Sequence, residues 1–230
     1  MSLDNYEAES YDALPSLNEA KSSYLAMGAA LLLDTIVRQL FIDHDMHQKY
    51  GVCLLHKHFS IAPTERLVEF HHTATPWQFG TVKTASFIPH HDGFIVPRAY
   101  LVKSSKSDEL TATPYEFTYT YDEPTPITDS ERAFFTAYAA LLAAYQLQGV
   151  LGVCTLGDPE ETAKFPLEIT EGKANIMIKG DDISKEDVIE AVWKFSPEDR
   201  GGAITRACIG LCKQSGGLHN YTDHVPSPDF

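Results

Sequence analysis

Between Val52 and Asp122 the chain is a series of short apolar stretches broken by turn residues, which commits much of it to a sheet. "VCLLHKHFSI" and "RLVEFHH" flank "IAPTE", whose proline suits a turn. "WQFGTVKTASFI", "GFIVPRAYLVKS" and "YEFTYTYDE" continue the pattern, and the last sets Phe117, Tyr119 and Tyr121 against Thr118, Thr120 and Asp122. Alternation of this kind predicts an antiparallel sheet across residues 52–122, a meander or a partly closed barrel.

Helices are expected on either side. Leu25, Leu32, Ile36 and Leu40 recur at helical spacing, giving a helix or helix pair from Ser16 to Lys49 that stops at Gly51. "TDSERAFFTAYAALLAAYQLQ" carries Asp129 or Ser130 as N-cap and acid in its first turn. "GVLGVCTL" predicts a buried strand, and "FPLEITEGKANIMIKG" a hairpin turning near Glu171-Gly172. "ISKEDVIEAVWKF" and "AITRACIGLCKQ" fit two further amphipathic helices. The fold class is α+β, an antiparallel sheet packed against helices. Residues 1–15 are expected to be a mobile acidic tail, and residues 16–230 one domain.

The net charge of −14 disfavours nucleic acid and anionic membrane surfaces as partners. The start, "MSLDNYEAESYDAL", has no basic segment followed by an apolar one, and "YLAMGAALLLDTIV" is broken by Asp34 and short of the ~20 residues of a membrane span. Four cysteines do not make a disulfide scaffold in a chain of this length. A cytoplasmic protein acting on a small-molecule substrate or ligand is the expectation. The oligomeric state is left open.

The strongest chemical signal is the pair of histidines in "LLHKHF". On a strand His56 and His58 share one face with Val52 and Leu54, about 6–7 Å apart. If residues 52–60 and 66–72 pair as a hairpin, one register sets His56 opposite Glu69 and Leu54 opposite His71. His56, His58, Glu69 and His71 would then offer the imidazoles and carboxylate that hold iron, copper or zinc. A slip of one residue removes the arrangement. Without metal, His58 or His56 would carry a proton with Glu69 orienting the ring. Arg98 is a candidate to receive a substrate carboxylate, or it pairs with an acid. The leading reading is a metal-assisted small-molecule enzyme. The alternative is a non-catalytic ligand-binding or interaction domain with incidental histidines.

Other clusters are weaker. His90, His91 and Asp92 precede Gly93 in turn-like sequence. His44 and His47 lie near a helix C-terminus, where the dipole alone accounts for histidine. Cys208, Cys212, His219 and His224 form a candidate zinc set of unusual spacing, and the two cysteines equally fit a buried helix face. The chain has no dinucleotide or P-loop glycine motif, no Gly-x-Ser-x-Gly and no His-Glu-x-x-His.

The His-x-His after a glycine is similar to the opening of the cupin motif, but Gly51 precedes His56 by too few residues, Glu65 follows too late, and the second motif is missing. "YGVCLLHKHF" and "TRACIGLC" resemble segments of uncharacterised proteins of filamentous fungi. That resemblance implies a fungal, cytosolic protein and brings no activity with it.

Overall fold

A computed structural model describes residues 6, 8–79, 92–104, 110–158, 166–179, 188–197 and 204–213. The architecture is mixed α+β with a mostly sheet core, and the sheet is a closed barrel of ten strands. The strands are β1 (Tyr50–Leu54), β2 (Glu65–Phe70), β3 (Thr73–Gln78), β4 (Phe94–Ser104), β5 (Leu110–Thr120), β6 (Leu151–Thr155), β7 (Leu167–Glu171), β8 (Ala174–Ile178), β9 (Val188–Pro197) and β10 (Ile204–Lys213). Around the barrel they run β1-β6-β4-β5-β2-β3-β8-β7-β10-β9. Pairing of Val52 with Trp193 and Cys53 with Val192 returns β9 to β1.

This is not a meander. β2 lies parallel to β5, and β7 lies parallel to β10. β1 and β2 do not form the expected hairpin, because β1 pairs with β6 and β9 while β2 pairs with β3 and β5. The two late segments expected to be helical supply strands β9 and β10 instead. Ile189, Ala191, Trp193 and Phe195 recur with a period of two and pack into one apolar cluster, which only an extended chain allows.

Most of the helices pack against one flank of the barrel. The helices are α1 (Ala8–Asp12), α2 (Leu17–Ala26), α3 (Ala29–Leu32), a π-helical turn (Leu33–Val37), α4 (Arg38–Asp43) and α5 (Asp129–Ala144). Gly28, in the left-handed region at φ 60°, divides the expected helix or helix pair between α2 and α3. Ser16 and Glu19 form a capping box on α2. On α5 the cap is Thr128, one residue before the expected positions, and Glu131 completes its box. Phe41, Phe134, Phe135 and Tyr138 from these helices bury Val52, Leu54, Val153, Trp193 and Phe195 of the sheet. Among the described residues no single helix is long and apolar enough to cross a membrane.

Strand alternation sends the neighbouring residues the other way. Cys53, Leu55, Leu67, Ala99, Tyr115 and Cys154 form a second cluster, which Tyr11 and Leu14 join. Within the stretch expected to be a mobile tail, Ala8, Tyr11 and Leu14 are therefore buried. The seam between β1 and β9 is tight: a Cβ on Gly51 would stand 2.7 Å from the Trp193 carbonyl oxygen.

Candidate functional site

The barrel encloses a cavity of about 240 Å³ with a mixed polar and apolar wall. Apolar atoms come from Cys53, Ala99, Cys154, Val192 and Leu211, and the polar groups include His56, His58, Glu69, Arg98, Glu116 and Glu168, with His72 and Asp158 also on the wall. These residues come from different parts of the barrel wall, so the closed topology, not any local motif, assembles them.

His56 and His58 lie beyond the end of β1, not on it as expected. The N-terminal segment fixes their loop. The Lys57 amide donates to the Pro15 carbonyl at 2.9 Å, the His58 amide donates to the Tyr11 hydroxyl at 3.2 Å, and the Ile61 amide donates to Asp12 Oδ1 at 3.2 Å. The Lys57 ammonium also donates to the Asp12 carbonyl. The two rings meet edge to face, 4.6 Å between centroids.

His56 is 6% exposed, and its Nδ1 lies 2.8 Å from the Leu54 carbonyl. A carbonyl only accepts, so Nδ1 carries the hydrogen and Nε2 presents a lone pair. That Nε2 is buried and has no hydrogen-bond partner among the described residues. Burial, and then His58, hold the ring down to about 4, so it is neutral near pH 7. His58 Nδ1 sits 3.2 Å from Thr170 Oγ1, and its Nε2 sits 3.5 Å from Glu168 Oε1. Burial, with Arg98 nearby, takes His58 down to about 3.

Arg98 enters the cavity through a break in register. Pro97 pairs with Phe117 and Ala99 with Glu116, which are consecutive on β5, so Arg98 is an extra residue on β4. The bulge lets both Arg98 and Ala99 face the cavity. There Arg98 forms an ion pair with Glu69. Glu116 faces the same space. Burial, then Glu168, raise its carboxyl to about 8 against the opposing effect of Arg98. The Cys212 thiol donates to Glu168 Oε2 at 3.5 Å, and Cys53 Sγ lies 3.3 Å from the Tyr115 hydroxyl.

The cavity thus gathers four of the residues singled out from sequence, His56, His58, Glu69 and Arg98. His71 is not among them. It occupies the turn between β2 and β3 at φ 47° with its ring against Phe70, and the following His72 reaches the cavity wall instead. The register that set His71 beside Leu54 needed a β1–β2 hairpin, which does not form. Among the described residues no three His, Cys, Asp or Glu side chains converge closely enough to hold a metal ion. His90 and His91, with His219 and His224 of the suggested zinc set, lie outside the described residues. Asp92 is exposed, and His44 closes α4 as its C-cap. Of that zinc set, Cys208 and Cys212 belong to β10 rather than to a helix.

Sequence reasoning missed Glu116 and Glu168. The alternation in "YEFTYTY" separates two faces but does not say which of them is the inner one. Phe117 and Tyr119 pack outside with Val68, Tyr6 and Phe70, and Glu116 and Thr118 face inward. Comparison of the chain with protein-family models, curated proteins and solved structures gave no match.

Proposed function

We propose that the barrel lumen is the site of a small-molecule enzyme that works by proton transfer through its histidine and carboxylate cluster. The observation that carries this reading is the bare Nε2 of His56, buried on the wall of a cavity that also holds Glu116. An unpaired buried acceptor is costly unless something uses it. Glu116 exchanges the proton: a carboxyl near 8 passes between acid and base close to neutral pH, where such a group is most effective. His56 accepts a hydrogen bond from the substrate. Arg98, fixed by Glu69, supplies a positive charge that stays in place during the reaction.

The test starts from lumen ligands found by ligand-detected NMR among small polar compounds. Each is incubated with the protein in heavy water and followed for deuterium uptake or chemical change. The expected result is uptake with the natural chain, its loss in Glu116→Gln, and weakened binding in His56→Leu. Binding with no exchange or turnover would leave the alternative, a non-catalytic ligand-binding domain. Failure of every compound to reach the lumen would sink both.

A second reading keeps a divalent iron, copper or zinc ion. It is favoured by the 4.6 Å approach of the His56 and His58 rings with one Nε2 unused, which suits two imidazole ligands and leaves other positions for water or substrate. Elemental analysis of untagged protein tests it, and stoichiometric metal is the outcome that would support it.

A further inference from the structure

We propose that the ligand of the lumen is a small organic amine, bound as its ammonium ion, with one N–H donated to Nε2 of His56. This rests on the reading of the lumen as a ligand site. The argument is one of charge. Four carboxyl groups, Glu69 on β2, Glu116 on β5, Asp158 after β6 and Glu168 on β7, line the cavity with a single guanidinium, Arg98 on β4. The imidazoles of His56 and His58 are held neutral and add nothing positive. His72, Cys154 and Asp158 also line this cavity, and near Glu116 the Cys53 thiol on β1 and the Tyr11 and Tyr115 phenols are neutral as well.

Fully ionised, these groups leave the cavity short of positive charge, and a proton on Glu116 offsets part of that shortfall. A carboxylate ligand would meet four carboxyl groups and find the guanidinium already paired with Glu69. An ammonium ion supplies one positive charge in place of that proton and leaves Glu116 as a carboxylate. The same step turns Glu116 from an acid in the empty lumen into a base in the loaded one. The lone pair of His56 suits an N–H donor, and the apolar wall at Cys53, Ala99, Val192 and Leu211 suits a short hydrocarbon stem. With no three metal-binding side chains converging among the described residues, an organic cation fits better than a bare metal ion. The net charge of −14 also draws cations to the surface.

Titration calorimetry on the full chain with butylamine, butan-1-ol, butyrate and zinc chloride tests this. Butylamine should bind at least tenfold tighter than butan-1-ol at pH 7, and butyrate should not bind. Butylamine stays protonated well above neutral pH, as a lysine does. Its affinity should therefore rise from pH 6 to pH 8 by up to about tenfold per unit, the limit for one linked proton. Proton release should appear as different apparent heats in phosphate and Tris buffers. Glu116→Gln should abolish the pH dependence and the release. Glu168→Gln, which removes a repelling carboxylate, should move the rise to lower pH. Equal binding of the alcohol and the amine would overturn the charge inference and keep the lumen as a ligand site. Binding of zinc alone, or of none of the four, would overturn it outright, and the last result would take the lumen reading with it.

Discussion

Arg98 on β4 reaches past β5 to form its ion pair with Glu69 on β2. The pair links strands that do not touch through their backbones, and its side chains are only 29% and 19% exposed. Loss of one partner strands a poorly solvated charge, whereas loss of both removes the problem. Glu69→Leu and Arg98→Met should each lower unfolding free energy by about 1–3 kcal/mol, less than a fully buried pair because the cavity admits solvent. The double variant should cost less than the two singles together. Urea denaturation of all four proteins checks this, and simple additivity would show the pair to be uncoupled.

Glu116 gives the protein a pH signature of unusual sign. Its carboxyl is near 8 when folded, against an ordinary value of 4.5. Between those limits the folded state holds a proton that the unfolded state has released, so stability falls as pH rises from about 4.5 to about 8 and levels off above. His56 and His58, held down to about 4 and 3, act in the opposite sense, losing stability as pH falls below 6.5. The effect is therefore read as a difference. Glu116→Gln should gain on the natural chain as pH rises through this window, by at most about 1.4 kcal/mol per unit. A constant difference from pH 5 to pH 8 would contradict the assignment.

At low pH a different residue dominates. Burial works against ionisation of Glu131, but Lys49 at 2.5 Å, Thr128 and the Tyr50 hydroxyl at 2.7 Å overcome it and bring its carboxyl to about 2. The stability this gives is complete above 4.5 and is lost as pH falls toward 2. Tyr50→Phe removes one donor, so its thermal midpoint should drop at pH 7 by an amount matching about 0.5–1.5 kcal/mol. The deficit should shrink at pH 2. Thermal scans at both pH values decide it, and a deficit unchanged at pH 2 would mean that packing, not the carboxylate, is at stake.

How far the fold was legible depends on which signals are local. The alternation around Phe117 and the cap before α5 are local, and both produced elements of the expected type. Pairing is not local. Val188, Ile189, Val192 and Phe195 fit helical spacing while Ile189, Ala191, Trp193 and Phe195 fit extended spacing, and only contact with β1 and β10 settles the choice. The same limit applied to the site. His56, His58, Glu69 and Arg98 stand out by residue type, but the hairpin offered to unite them does not exist. Glu168 was illegible because nothing in "PLEITEG" says that the inner face of this barrel is polar.

The order of the strands bears on how the chain is made. β1 takes its two neighbours from β6 and β9, so its far edge waits for residues 188–197. During synthesis the first strand emerges long before its second partner, and its unpaired edge is a hazard for wrong association. Closure then rests on two residue pairs beside a glycine with no room for a side chain. The barrel is completed only after most of the chain has left the ribosome. Its slowest and most error-prone step is the meeting of two segments more than a hundred residues apart.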